Sequence, residues 1–195
     1  MTSGLRERKK RATRDALAAA AVRLAAERGV GNVTVEDIAA AADVSPRTFF
    51  NHFATKEEAF VAHDIERAHL LLARLREEPL DAPAWPLLTG ALGDLLETGS
   101  NDRAEVRSLY AIHTDPAVLA HQQLEYAAIE ADVLAELARR LPSGDRMQAR
   151  LMAGTAIAAM RAAVTTWTED DGDRGLRQLF DDAVAQLSPA FTPTP

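Results

Sequence analysis

The chain has no cysteine, which excludes a disulfide framework, a thiolate metal site and a cysteine nucleophile. Aromatic residues make up only 5%, so each cluster of rings has to be explained. Lysine is scarce: of 22 basic residues only Lys9, Lys10 and Lys56 are lysines, so any basic surface rests on arginine. The longest strongly apolar run, residues 151–160, is too short to span a bilayer and reads as a buried helix. The first residues are polar and basic with no apolar segment behind them, so no secretory leader is expected and a cytoplasmic location is. No stretch alternates apolar and polar residues with a period of two, which leaves strands out of the expected fold. Gly-rich phosphate loops, HExxH and nucleophile-elbow motifs are missing. His121 and Glu125 stand four apart on an expected helix, but no second ligand pair accompanies them. No catalytic residue, metal or cofactor is assigned.

What is present is a chain of 195 residues, 47% hydrophobic and 26% charged, the profile of a globular protein of one or two domains. Its net charge of −7 is unevenly distributed. Residues 1–56 hold ten Lys and Arg against six Asp and Glu (+4), and residues 57–195 hold twelve against twenty-three (−11). A basic segment joined to an acidic body suggests a polyanion as the partner of the first part.

Ala, Leu, Arg and Glu dominate, and turn signals cut the chain into about nine helical pieces. Breaks are expected at Gly29–Asn32, Pro79–Pro86, Thr98–Asn101, Thr114–Pro116, Pro142–Gly144 and Asp170–Asp173, with Pro189, Pro193 and Pro195 marking a frayed tail. The first helix carries the stripe Leu17, Ala20, Ala21, Leu24. The second opens with Thr34 and has Asp37 three residues on, a capping box with Asp in place of Glu. The third starts at Ser45 as N-cap with Pro46 at its first position, where a missing N–H costs nothing. The fourth opens with the capping box Thr55 and Glu58. Only Ala42-Asp43-Val44 separates the second and third helices, which is helix-turn-helix spacing.

The third helix lies in SPRTFFNHF, residues 45–53. At ~100° per residue with Arg47 at zero, Asn51 falls near ~40°, Thr48 at ~100° and His52 at ~140°, against Phe49 at ~200°, Phe53 at ~240° and Phe50 at ~300°. Four polar side chains fill one arc and three rings the other, so the rings are expected to hold the helix to its neighbours. In a major groove Arg47 suits guanine, Asn51 suits adenine, and Thr48 suits a thymine methyl or a phosphate. His52 and Lys56 suit phosphates, and Thr34 and Ser45, at helix starts, join them. Upstream, Arg8, Lys9, Lys10 and Arg11 form a basic arm that either tracks phosphates or enters a minor groove.

The stripe LAAAAVRLAAERG followed by VTVEDIAAAADVSPRTFFNHFATKEEAF resembles, without gaps over residues 13–60, the DNA-binding domain of the TetR family of bacterial transcriptional regulators. The resemblance implies an all-α fold of about nine helices: an N-terminal domain over residues 1–56 that binds a double-stranded DNA operator, and a C-terminal domain over 57–195 that binds a small-molecule effector and forms a homodimer. Three positions depart from the family pattern. Ala25 stands where an aromatic is common. Asp43 replaces the turn glycine, and Asp tolerates the left-handed conformation. Phe50 replaces a tyrosine whose hydroxyl can reach a phosphate, so packing is expected there instead.

The body has no fixed motif. Leu88, Leu92, Leu109, Tyr110, His113, Tyr126, Met152 and Trp167 are candidates for an effector pocket, and a filled core is equally consistent with them. A small apolar or amphipathic effector is expected, with a cationic aromatic compound and a long-chain acyl compound both fitting. By resemblance the last two helices form the dimer interface, through Gly154, Ala158 and Ala162 on one and Leu176, Leu179, Phe180, Ala183, Val184 and Leu187 on the other. Such a dimer implies recognition helices about 34–36 Å apart or somewhat more, a pseudo-palindromic operator, and, as the usual sign of control, a repressor released by its effector. The alternative is an all-α enzyme or small-molecule-binding protein whose helix-turn-helix is vestigial.

Overall fold

A computed structural model describes residues 3–97, 102–169 and 172–191, without the side chains of Ser3, Leu124, Glu125 and Ser143. The breaks expected at Thr98–Asn101 and at residues 170–171 lie outside the described residues, as do Pro193 and Pro195. Among the described residues there are nine α-helices and no strand: α1 Ser3–Arg28, α2 Val35–Ala41, α3 Pro46–Phe50, α4 Lys56–Glu77, α5 Ala84–Glu97, α6 Arg103–His113, α7 Pro116–Ala138, α8 Arg146–Glu169 and α9 Leu176–Leu187. Three short 3₁₀ turns, after α1, after α7 and after α9, complete the list of elements. No helix among them is long and apolar enough to cross a membrane.

The chain divides into two compact units. The first comprises residues 1–66 and 108–125, the second residues 67–107 and 126–195. In the first unit the stripe Leu17, Ala20, Ala21 and Leu24 is buried, together with Val33, Ile38, Phe49, Phe53, Phe60 and Val61. Ala25, where the family pattern has a ring, is itself buried, so the neighbouring side chains close over the smaller residue. Ile112 near the end of α6 and Val118 near the start of α7 join this core. Asp64 of α4 and His113 of α6 meet at 2.5 Å beside it.

The segment expected as an arm is instead the beginning of α1, which runs as one helix from Ser3. The reason is local. Arg, Glu, Lys and Ala are strong helix formers, and Thr13 Oγ1 and Arg8 Nε donate back to the carbonyls of Lys9 and Gly4, at 3.0 and 3.2 Å. The helix ends at Gly29, whose φ of +80° is open to glycine at little cost.

In the second unit α8 and α9 pack on each other and on α5. The break expected over Pro79–Pro86 closes earlier, because Pro86 falls within the first turn of α5, where its missing N–H has no partner to lose. Around Pro189 the chain is structured, contrary to the fraying expected there. Residues Ser188–Ala190 form a 3₁₀ turn, Trp85 Nε1 donates to Ser188 Oγ at 2.9 Å, and the Phe191 ring lies 4.5 Å from that of Trp85.

A buried ion pair joins the ends of α4 and α7. The side chains of Arg140 and Glu136 are 1% and 7% exposed and in direct contact. Arg140 also donates to the carbonyls of Leu75 and Glu78 at the C-terminal end of α4, where an unpaired carbonyl row and the helix dipole both favour a cation. Burial on its own pushes the Glu136 carboxyl up, but the hydrogen bond from Arg140 and the charges of Arg139 and Arg140 outweigh it and hold the pKa below its ordinary value.

Two outcomes follow from this pair. Arg140→Ala leaves the buried Glu136 carboxylate with only the exposed Arg139, at 3.1 Å, and should cost about 3–5 kcal/mol in urea unfolding; a loss under about 1 kcal/mol, the surface-pair range, would contradict the burial. Because the folded-state pKa of Glu136 is depressed, its contribution is complete above the ordinary carboxylate range and is lost as pH falls through the lower folded value. The stability gap between wild type and Glu136→Gln should therefore close on acidification below about pH 4. A gap that stays constant would refute this assignment.

Candidate nucleic-acid interface

The helix-turn-helix is assembled from short segments, each with its own start signal. At α2, Thr34 Oγ1 accepts from the Asp37 N–H at 3.1 Å and Asp37 Oδ2 accepts from the Thr34 N–H at 3.0 Å, completing the capping box. The hydrogen bonds from Thr34, with help from Arg28, lower the Asp37 pKa against the opposing effect of burial. The turn follows at Ala42. Asp43 adopts φ +55°, the left-handed conformation its side chain tolerates, and the Val44 N–H returns to the Ala39 carbonyl at 2.9 Å. Ser45 then caps α3: its Oγ accepts from the Thr48 N–H at 3.1 Å and lies 3.0 Å from Thr48 Oγ1. Pro46 occupies the first turn.

Helix α3 is only five residues long, and Asn51 caps its C-terminal end. Phe49 and Phe53 are fully buried, with ring centres 5.6 Å apart. Phe50 is not. It is 58% exposed, touching Phe49 edge-on at 5.5 Å, so the expected packing at this position is corrected. The buried sector of α3 is narrow because one wall of core covers it, and Phe50 lies beyond that wall. The outward face therefore runs over Pro46, Phe50, Arg47 and Asn51, while Thr48 and His52 are half-buried at its edge.

Arg14 secures this helix from α1. Its guanidinium sits 4.1 Å over the Phe53 ring, donates to the His52 carbonyl at 2.5 Å and lies 3.6 Å from Glu58. Arg14 was legible only as one cation among several in the basic segment. The start of α4 is capped by Thr55 Oγ1, which accepts from the Glu58 N–H at 3.2 Å, while Glu58 reaches the Ala54 N–H at 2.6 Å. Lys56 Nζ donates to the Val30 and Val33 carbonyls at 3.2 and 2.8 Å. It thereby fixes the segment after α1 and keeps one of its three donors.

The expected DNA-contacting residues fall into four groups. Lys9 and Lys10, with Arg6, Glu7, Thr13, Asn51 and His52, line an open cleft of about 860 Å³. An adjoining cleft of about 510 Å³ brings Arg8, Arg11 and Arg14 to the same Asn51 and His52. Arg47 and Thr48 lie outside both clefts, and Thr34, Ser45 and Lys56 sit at helix starts. Burial, and then the charges of Lys10 and Arg14, lower the His52 pKa, and its buried Nδ1 has no hydrogen-bond partner. A groove lined by so many cations beside an exposed arginine is chemically suited to a phosphodiester chain.

Leu109, Tyr110 and His113 belong to the first unit, and Leu88, Leu92, Tyr126, Met152 and Trp167 to the second. Of these, Leu88, Leu92, Met152 and Trp167 are buried. The residues expected at a subunit contact also divide. Gly154, Ala158 and Ala162 are exposed along α8, in line with Leu151 (54% exposed) and Met147 (68%). Leu176, Leu179 and Phe180 are buried inside their own subunit, and Ala183, Val184 and Leu187 are half-buried on the same face of α9. The buried part of the α9 stripe thus packs on α8 and α5 of its own chain.

Comparison with known proteins places this geometry. Residues 17–62 match the description "Bacterial regulatory proteins, tetR family", and residues 82–192 match "MftR C-terminal domain". The HTH-type transcriptional regulator TcmR of Streptomyces glaucescens is 31% identical over 201 residues, covering 95% of this chain and 87% of that protein. Among solved structures, the multidrug binding protein EbrR complexed with imidazole superposes with a TM-score of 0.55 at 24% identity, covering 93% of this chain and 90% of that one. A transcriptional regulator from Rhodococcus sp. Rha1 gives 0.51 at 24% identity, covering 93% and 99%. The chain belongs to the TetR family of bacterial regulatory proteins, and it is a DNA-binding, ligand-responsive transcriptional regulator.

Proposed function

We propose that the chain is a dimeric repressor in which residues 1–56 read a pseudo-palindromic operator and residues 57–195 bind an effector and pair two subunits. The observation that carries the DNA reading is the outward face of α3 beside the cation-lined clefts of α1. Arg47 and Asn51 supply base-edge hydrogen bonds. Arg8, Lys9, Lys10, Arg11 and His52 hold the phosphate backbone, with Thr34, Ser45 and Lys56 at its margin, and Thr48 contacts a base or a phosphate from its half-buried position. The effector is a small apolar or amphipathic molecule, and Leu88, Leu92, Tyr126, Met152 and Trp167 of the second unit are candidates for holding it. It acts only through its different affinity for the operator-bound and released arrangements.

The exposed stripe Met147, Leu151, Gly154, Ala158 and Ala162 supports pairing through α8. Isolated apolar residues are ordinary on a surface. A continuous apolar row along the back of a helix whose other face is already buried calls for a partner. Small residues at its centre allow a second helix to approach closely. The second copy is related by a two-fold axis, which makes the contact self-complementary.

Selection of bound DNA from a random pool at two salt concentrations should enrich an inverted repeat, with binding that weakens steeply as salt rises. Enrichment of nothing at low salt by folded protein would reject the reading. Given that operator, Arg47→Ala should lose ~1–3 kcal/mol and relax one base position, whereas Lys9→Ala should weaken all sequences alike and reduce the salt slope by about 1. Ala158→Glu, at an exposed site, should leave the helical content and thermal unfolding of the subunit intact. Sedimentation should then show monomers, and a dimer surviving that substitution would move the interface elsewhere.

A further inference from the structure

The four residues on the open face of α3 are of unlike chemistry. Arg47 and Asn51 are hydrogen-bonding groups, while Pro46 and Phe50 have only carbon to offer. With Arg47 at zero, Phe50 lies at ~300° and Asn51 at ~40°, so the ring stands beside the guanidinium on the side away from the amide. Its exposure of 58% contrasts with 0% and 1% for Phe49 and Phe53. Most of the ring surface therefore has no cover within the subunit. Phe50 does touch the core: its ring meets the buried Phe49 ring with centres 5.5 Å apart and planes at 87°, the T-shaped arrangement that aromatic pairs favour.

We infer that Phe50 is a specificity-determining residue that reads the C5-methyl group of a thymine in the major groove, next to the base pair contacted by Arg47. The inference rests on the proposed operator reading and adds to it the base type at one position. A phosphate is excluded as the partner, because the ring carries no donor. The base edges of a major groove present one apolar group, the thymine methyl, and phenylalanine is among the side chains that contact it. A ring so placed also selects against cytosine at that position, which offers an amino group and no methyl. Thymine thereby becomes the base that buries the exposed ring without stranding a polar group.

The test uses the full chain and the operator recovered by selection. Uracil, which lacks only the methyl, replaces each thymine of one half-site in turn, and the dissociation constant is measured for wild type and Phe50→Ala. One position should weaken about fourfold in the wild type, the value of a buried methyl group, and the same change should leave Phe50→Ala binding within about 1.5-fold, below that single-methyl effect. Since Phe50 is exposed, the variant should stay folded; Phe50→Gln provides the same comparison should the alanine variant not fold. A flat uracil scan in the wild type, equal sensitivity in the variant, or a selected operator with no thymine in its half-site overturns the assignment while leaving the operator reading intact. Failure to select any sequence overturns both.

Discussion

The burial of Phe49 and Phe53 is the constraint on which the DNA-reading part depends. A helix of five residues has no stability of its own, because nucleation costs more than so few hydrogen bonds return. Helix α3 exists because two rings are sunk in the core formed by α1, α2 and α4, and because the Ser45 hydroxyl caps the Thr48 N–H. Removing either ring would cost about 3–5 kcal/mol by the usual core scale, a large part of the stability of a domain this size. The same burial sets the direction of every outward side chain. Arg47, Phe50 and Asn51 face solvent because residues 49 and 53 do not.

Arg14 and Arg140 play similar structural parts in different units. Each is a guanidinium that meets a carboxylate and backbone carbonyl oxygen near the end of a helix, one carbonyl for Arg14 and those of Leu75 and Glu78 for Arg140. Arg14 is partly open and adds a cation–π contact, whereas Arg140 is enclosed. A planar, permanently charged fork suits this work better than lysine, since it divides its donors among several acceptors in fixed directions. The preference for arginine in this chain has a structural use at these two sites whatever its origin.

Much of the fold was legible in the sequence, because its signals are local. Thr34 with Asp37, Ser45 with Pro46, and Asp43 in the turn each fix a few backbone groups through covalently near neighbours, and the structure bears them out. The misplaced elements depend on what lies across from them. A helical wheel sorted α3 correctly into apolar and polar residues, but it does not reveal how wide a wall the rest of the chain provides, and Phe50 fell outside it. The α9 stripe was identified as a face for burial, and Leu176, Leu179 and Phe180 are covered within the chain itself; periodicity marks such a face without saying how much of its cover belongs to the same chain. Trp85 captured the tail through Ser188 and Phe191, a contact across a hundred residues that no local signal carries.

The unbroken course of α1 has a consequence for the thermodynamics of association. A disordered basic arm must be ordered when it meets DNA, and that ordering costs several kcal/mol, with a large negative heat-capacity change as its mark. Here the cationic residues ride on a helix already formed and anchored at its far end by Leu17, Ala21 and Leu24 in the core. At ~1.5 Å per residue the exposed turns extend as a helix rather than as an irregular tether. The encounter with a phosphate backbone is then a docking of preset charges, driven mainly by release of counterions.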